Sequence, residues 1–124
     1  MENQNLLIDK FVEGKPVTFG DSKTEKPWKD LIKNELSNYV REPLDKASVT
    51  LDFFLTPTRF MRQGKQPRND LDNLAKPVLD SLVEMGMFLD DSGILDLLLR
   101  KRKSNTEGIR IKVKKFTGNE FDFS

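Results

Sequence analysis

The sequence predicts an α+β fold: a single two-layer domain with a mixed β-sheet of about four strands and two main helices. Three observations carry that expectation. The stretches "ASVTLDFFL" and "GIRIKVKKF" alternate apolar and polar residues, with Val49, Leu51, Phe53 and Leu55 on one face of the first and Ile109, Ile111 and Val113 on one face of the second. Two other stretches space their apolar residues as helices do, and they separate the strand-like runs. The chain has 124 residues and no cysteine, a length that buries one core without covalent staples.

The elements follow in order. "LLIDKFVEG" (Leu6–Gly14) reads as a first strand. A loop, "GKPVTFGDSKTEKP", is rich in the residues that favour turns. From Trp28 the apolar positions Trp28, Leu31, Ile32, Leu36, Tyr39 and Val40 keep helical spacing, with Pro27 suited to the first turn. The strand at 47–55 is followed by "TPTRFMRQGKQPRN", a loop with four bases and no acid. A second helix is expected from about Leu71 to Met85, carrying Leu71, Leu74, Ala75, Val78, Leu79, Leu82 and Val83 on its apolar side. Pro77 lacks a backbone N–H and costs least near a helix start, so the regular helix is placed from Asp72–Asn73, with Gly86 as its stop. "ILDLLLRKRK" and "GIRIKVKKF" are two closing strands joined across "SNTEG", the last with a basic outer face. The single domain spans 1–124, with a frayed tail from about 117 unless Phe121 or Phe123 docks.

Composition bounds the chemistry. A hydrophobic share of 36% beside 33% charged residues fits a water-soluble domain. Without cysteine or histidine, disulfides, thiolate chemistry and imidazole catalysis are excluded. No apolar run is long enough for a membrane span, and "MENQNLLIDK" lacks the basic and apolar regions of a signal peptide. The expected compartment is the cytoplasm, with no membrane partner.

The net charge of +1 hides segregation. Between Arg68 and Asp96 the acids are Asp70, Asp72, Asp80, Glu84, Asp90, Asp91 and Asp96, against only Arg68 and Lys76. From Leu97 to Phe116 the bases are Arg100, Lys101, Arg102, Lys103, Arg110, Lys112, Lys114 and Lys115, against Glu107 alone. An acidic centre with basic flanks suits a protein that holds a cation and a polyanion together, although solvated faces explain charge runs equally well.

The acids at "RNDLDNLAK" sharpen the question. Asp70 and Asp72 fall at the mouth of the second helix, where a carboxylate can cap free N–H groups and meet a favourable dipole. One helix start has one N-cap, so capping accounts for one aspartate better than for two. Lys76 lies four residues after Asp72 and shares its face, which a weak surface pair also explains; Asp80 extends the stripe. The turn "GMFLDDSGI" then adds Asp90 and Asp91. Carboxylates that converge without histidine or cysteine are neutralised by protonation or by a hard cation, Mg²⁺ or its substitute Mn²⁺ in preference to zinc. Lys76 is then placed to stabilise charge developing on a phosphoryl group.

Convergence meets a geometric obstacle. The helix from Asp72 to Gly86 carries the chain about 21 Å. The residues from Gly86 to Asp91 return at most about 17 Å. Either "MFLDD" runs back along the helix nearly extended, the expected arrangement, or a partner subunit completes the site.

The composite "DLDNLAKPVLDSLVEMGMFLDD" resembles the signature of RusA-type Holliday-junction resolvases: D-x-D-N-L-x-K, an Asp-containing helix, a glycine, then a D-D pair. The resemblance covers most of the chain in element order and is specific from Arg68 to Ile94. It implies a RusA-like fold and a homodimeric endonuclease of cellular or prophage origin, acting in DNA recombination and repair. Its reaction would resolve four-way DNA junctions by paired, Mg²⁺-dependent nicks. The family's essential metal-holding aspartates fall on Asp70, Asp72 and Asp91 and its functional lysine on Lys76, with Asp80 and Asp90 in supporting positions.

Independently of that resemblance, Arg59, Arg62, Lys65 and Arg68 lead into the acidic stretch as a phosphate-tracking arm would, and Arg100, Lys101, Arg102 and Lys103 can grip a backbone without reading sequence. Phe60 and Met61 either stack on bases or anchor the loop. Two other readings stay open: a non-catalytic junction- or nucleic-acid-binding protein of the same fold, and a Mg²⁺-dependent nucleotide hydrolase, which would not need the basic loop and strands.

Overall fold

The computed structural model describes residues 6–20, 22–39, 42–60 and 70–116, with Ser22 and Asp91 described by their backbone alone. Four strands form one mixed sheet: β1 (Leu6–Glu13), β2 (Ala47–Leu55), β3 (Ile94–Lys103) and β4 (Gly108–Lys115), in the spatial order β1-β4-β2-β3. Helices α1 (Ser22–Leu36) and α3 (Leu71–Glu84) are the two long ones, and α2 (Pro57–Phe60) is a single turn. The fold is α+β, as the sequence predicts.

Alternation places Ile8 and Val12 of β1, Val49, Leu51, Phe53 and Leu55 of β2, and Ile109, Ile111 and Val113 of β4 on one face. These side chains are buried against Trp28, Ile32 and Leu36 of α1 and Leu74, Ala75, Val78 and Leu82 of α3. The two helices are clasped at their exposed sides by Glu84, which accepts from Lys29 Nζ at 2.7 Å and from Lys33 Nζ at 2.5 Å. Hydrogen bonds from those two lysines hold its carboxyl below the usual range.

Two local outcomes differ from the sequence expectation. Helix α1 begins at Ser22 rather than beside Trp28, so Pro27 sits inside it. The residues from Ser22 to Lys26 carry no apolar periodicity to announce a helix; they extend one whose apolar stripe begins later. The base-rich loop opens with the turn α2, and its remainder, with Met61, Arg62, Lys65 and Arg68, lies outside the described residues. The tail from 117, including Phe121 and Phe123, lies outside them as well.

The two closing strands are joined through 104–107 but do not pair. β2 lies between them, antiparallel to β4 and parallel to β3. The connection therefore crosses the end of β2, and Glu107 fastens it there. Its carboxylate accepts from Thr56 N at 2.9 Å, Thr56 Oγ1 at 3.1 Å and Arg59 Nη1 at 2.8 Å. Burial raises the Glu107 carboxyl, but the Thr56 N–H and Arg59 outweigh it and the net shift is downward.

A parallel pair cannot be joined by a tight turn, so β2 reaches β3 by a crossover through α3. Helix α3 runs opposite to both strands. Its first turn lies where β2 ends, beside Phe19, whose N–H donates to Asn73 O at 2.9 Å. Its last turn lies where β2 begins: Leu44 N donates to Met87 O at 2.9 Å, and Leu89 N donates to Leu44 O at 3.0 Å. Gly93 packs so closely that a Cβ would fall 2.5 Å from Asp45 O.

The other sheet face carries no helix among the described residues. At its centre Asp52 is buried, accepting from Arg100 Nε at 2.6 Å and Nη2 at 3.1 Å and from Arg102 Nε at 3.3 Å. Burial pushes its carboxyl up, while Arg100 and Arg102 pull it down further, so the net shift is downward. A carboxylate depressed in the folded state stabilises above its unfolded pKa of about 3.9 and loses that contribution as pH falls through the folded value. The difference in unfolding free energy between wild type and Asp52→Asn should therefore be largest above pH ~4.5 and shrink towards pH ~3. A pH-independent difference in denaturant titrations would mean that the arginines do not sense the charge.

Candidate active site

The mouth of α3 holds the first acidic pair. Asp70 is the N-cap, in extended conformation (φ −72°, ψ 148°), and its carbonyl accepts from Leu74 N at 2.9 Å. Its side chain makes no capping hydrogen bond. Capping, the ordinary reason for an aspartate here, is thus not what this carboxylate does. Asp72 stands exposed in the first turn. Both carboxylates sit at the positive end of a helix whose first N–H groups have no intrahelical acceptor, which favours anionic groups there.

Lys76 is exposed one turn further along. Its ammonium lies 3.2 and 3.3 Å from the Asp80 carboxylate oxygens and 5.2 Å from the centroid of the Phe19 ring. Its recorded partner is Asp80 and not Asp72. Asp72, Lys76, Asp80 and Glu84 form the polar side of a cleft of about 560 Å³ between α3 and β3. Leu79, Val83, Ile94, Leu97 and Leu99 form its apolar walls.

The second acidic pair lies at the far end of α3. "MFLDD" does not run back along the helix, because the bonds of Met87 and Leu89 to Leu44 hold it where β2 begins. The 14 residues of α3 span about 21 Å. The expected one-chain convergence is corrected on this point: the crossover that makes β2 and β3 parallel separates the two ends. Asp90 accepts from Ser92 N at 2.7 Å and from Ser92 Oγ, closing its own turn, and those bonds lower its pKa. Asp91 opens the 3₁₀ turn Asp91–Gly93. Among the described residues no group of three acids could hold a metal ion.

The basic residues divide by face. Lys101 and Lys103 gather on Phe60, their ammonium groups 5.4 and 5.6 Å from its ring centroid, and Lys101 donates to Phe60 O at 2.9 Å. Phe60 thus anchors the start of the basic loop at the sheet end where α3 begins. Arg100 and Arg102 point to the helix-free face and are held by Asp52. Arg59 is tied to Glu107 and donates to Pro16 O at 2.6 Å, so it builds the fold where a phosphate contact was expected. Sequence reasoning did not find the Phe19–Lys76 contact, since nothing in "KPVTFGDS" marks which helix that loop will touch.

The α+β domain thus brings carboxylates at a helix mouth and lysines to the same end of the sheet, in a chain without histidine. The family model for endodeoxyribonuclease RusA matches residues 9–114, and the chain belongs to that family. No curated relative matches it. Membership implies a Holliday-junction-resolving nuclease, and no helix among the described residues is long and apolar enough to cross a membrane.

Proposed function

We propose that this chain is a Mg²⁺-dependent, structure-selective endonuclease that resolves four-way DNA junctions by paired nicks, working as a homodimer in recombination and repair in the cytoplasm. The observation that carries the site is the acidic pair at the mouth of α3, with Asp70 at its N-cap and Asp72 exposed in its first turn. The donor set is carboxylate only, which suits a hard ion, but one chain brings two of these acids to the helix mouth. Asp70 and Asp72 would hold the ion, Mg²⁺ or Mn²⁺, together with the partner subunit's Asp91. Bound there, it would polarise the phosphodiester and lower the pKa of the attacking water. Lys76 would meet the charge that grows on the phosphoryl group, leaving Asp80 to do so.

The cleft supports the dimer. Its apolar wall continues onto β3, an edge strand among the described residues, where Leu95, Leu97 and Leu98 are 40–49% exposed. An uncovered apolar edge is a liability for an isolated domain. Two-fold packing along it is self-complementary and antiparallel. It lays the start of the partner's β3, with the partner subunit's Asp91, beside this chain's α3 mouth.

The test is incubation with Mg²⁺ of a synthetic four-way junction and of its linear arms. Paired nicks near the branch point are expected from the junction alone. Binding without nicks would favour the silent DNA-binding protein, and phosphate release from free nucleotides the hydrolase. Loop bases should add to junction affinity through counterion release, roughly 0.9 log–log slope unit per phosphate contact on duplex arms. Neutralising Arg62 and Arg68 is expected to flatten the salt dependence accordingly, whereas Arg59→Gln should lower the melting temperature, because it leaves Glu107 short of a partner. An unchanged slope in the double variant would remove the loop from the DNA interface.

A further inference from the structure

Phe19 is an exposed aromatic side chain beside Lys76 of the proposed site. It is 51% exposed, although a phenylalanine in a short loop is ordinarily turned inward. Its position is nevertheless fixed. Its N–H donates to Asn73 O within the first turn of α3, and the next residue, Gly20, takes φ +110° and donates its N–H to Glu25 Oε1 at 3.1 Å. The left-handed glycine turns the chain sharply into α1 and leaves the ring displayed. The ring then stands beside Lys76, 5.2 Å from its ammonium.

We propose that Phe19 is a base-stacking residue of this site, receiving the face of a nucleobase next to the phosphodiester that Asp70, Asp72 and Lys76 address; this rests on the nuclease reading above. An aromatic face accepts any base, because every base has a π-face, and Lys76 beside it can take the adjoining phosphate. In continuous duplex both faces of each base are covered by neighbours. Stacking on Phe19 therefore requires an unstacked base, which a branch point offers at small cost and a linear duplex does not. The residue would contribute to cutting at junctions rather than to general affinity, which phosphate contacts dominate. An alternative role, holding the Lys76 ammonium without touching DNA, makes different predictions.

The experiment compares wild type with Phe19→Ala, Phe19→Leu and Phe19→Trp. Single-turnover junction cleavage is expected to fall roughly ten- to hundredfold in Phe19→Ala and Phe19→Leu, the range for loss of one base–aromatic stack, and to be restored in Phe19→Trp. Junction Kd should weaken by no more than that factor, and Kd for linear duplex should not change. In Phe19→Trp the indole reports directly: with Ca²⁺ in place of Mg²⁺, its emission should be quenched by junction DNA and much less by linear duplex. The native Trp28, 4% exposed, supplies the unquenched reference and a check that each variant is folded. Wild-type cleavage by Phe19→Leu, or no junction-dependent quenching, would overturn the proposal. Should wild type fail to nick junctions, the nuclease reading falls, while quenching still decides whether Phe19 stacks on DNA.

Discussion

Asp72→Asn is expected to abolish junction cleavage while leaving DNA binding equal to wild type or tighter. The substitution keeps the shape of an exposed side chain in the first turn of α3, so it should fold normally. It removes one of the charges that would hold the ion, and with it a repulsion against the phosphate backbone. Asp70→Asn and Asp91→Asn should behave alike, since an ion without a full ligand set is bound weakly. Mixing inactive Asp72→Asn and Asp91→Asn proteins then asks where the ligands come from. If each site takes Asp70 and Asp72 from one chain and Asp91 from the other, the mixed dimer carries one site lacking both residues and one intact site. Single nicks should return, without paired ones. If each chain completed its own site, every site in the mixture would lack one residue and cleavage would stay absent. Wild-type nicking by Asp72→Asn alone would sink the assignment of the site.

Lys76→Met should lower the single-turnover cleavage rate about 100-fold, in line with loss of one electrostatic donor aimed at developing charge. Binding should change little, because the charge that lysine meets grows during reaction and is smaller in the ground state. Mg²⁺ affinity should hold or rise, since a cation leaves an acidic neighbourhood. The competing account is the pair recorded here, Lys76 with Asp80 at 3.2 Å on an exposed helix face. Such a pair contributes at most about 1 kcal/mol to stability. On that account the variant cuts normally and melts slightly earlier. Cleavage rate and melting temperature measured on one preparation separate the two. Asp80→Asn sharpens the contrast, because it frees Lys76 without removing it and should leave the rate near wild type.

The strands and the apolar faces of the long helices were legible because burial imposes a period. Val49, Leu51, Phe53 and Leu55 could occupy one side of an extended chain, and Leu74, Val78 and Leu82 one side of a helix. The chemistry proposed for the acids rests on composition, since a chain without histidine or cysteine leaves oxygen as the metal-binding atom. The first turns of α1 were not legible, because Ser22 to Lys26 are charged, polar and solvated, and such residues show no period. Nor was the role of Arg59. Whether a base meets a phosphate or a carboxylate depends on Glu107, 48 residues away in the chain.

By itself, then, the sequence determined the α+β class, the family-like acidic signature and which residues could serve a phosphate reaction. Tertiary structure alone decided how far apart they lie. β2 pairs in parallel with β3, so α3 must run the length of the sheet between them and leave Asp70 and Asp72 at one end and the Asp91 turn at the other. Pairing direction is set by backbone hydrogen bonds and the packing of the whole sheet, which no local run of residues encodes. That pairing keeps the two acidic pairs of one chain apart, which is why we propose a site completed by a second chain.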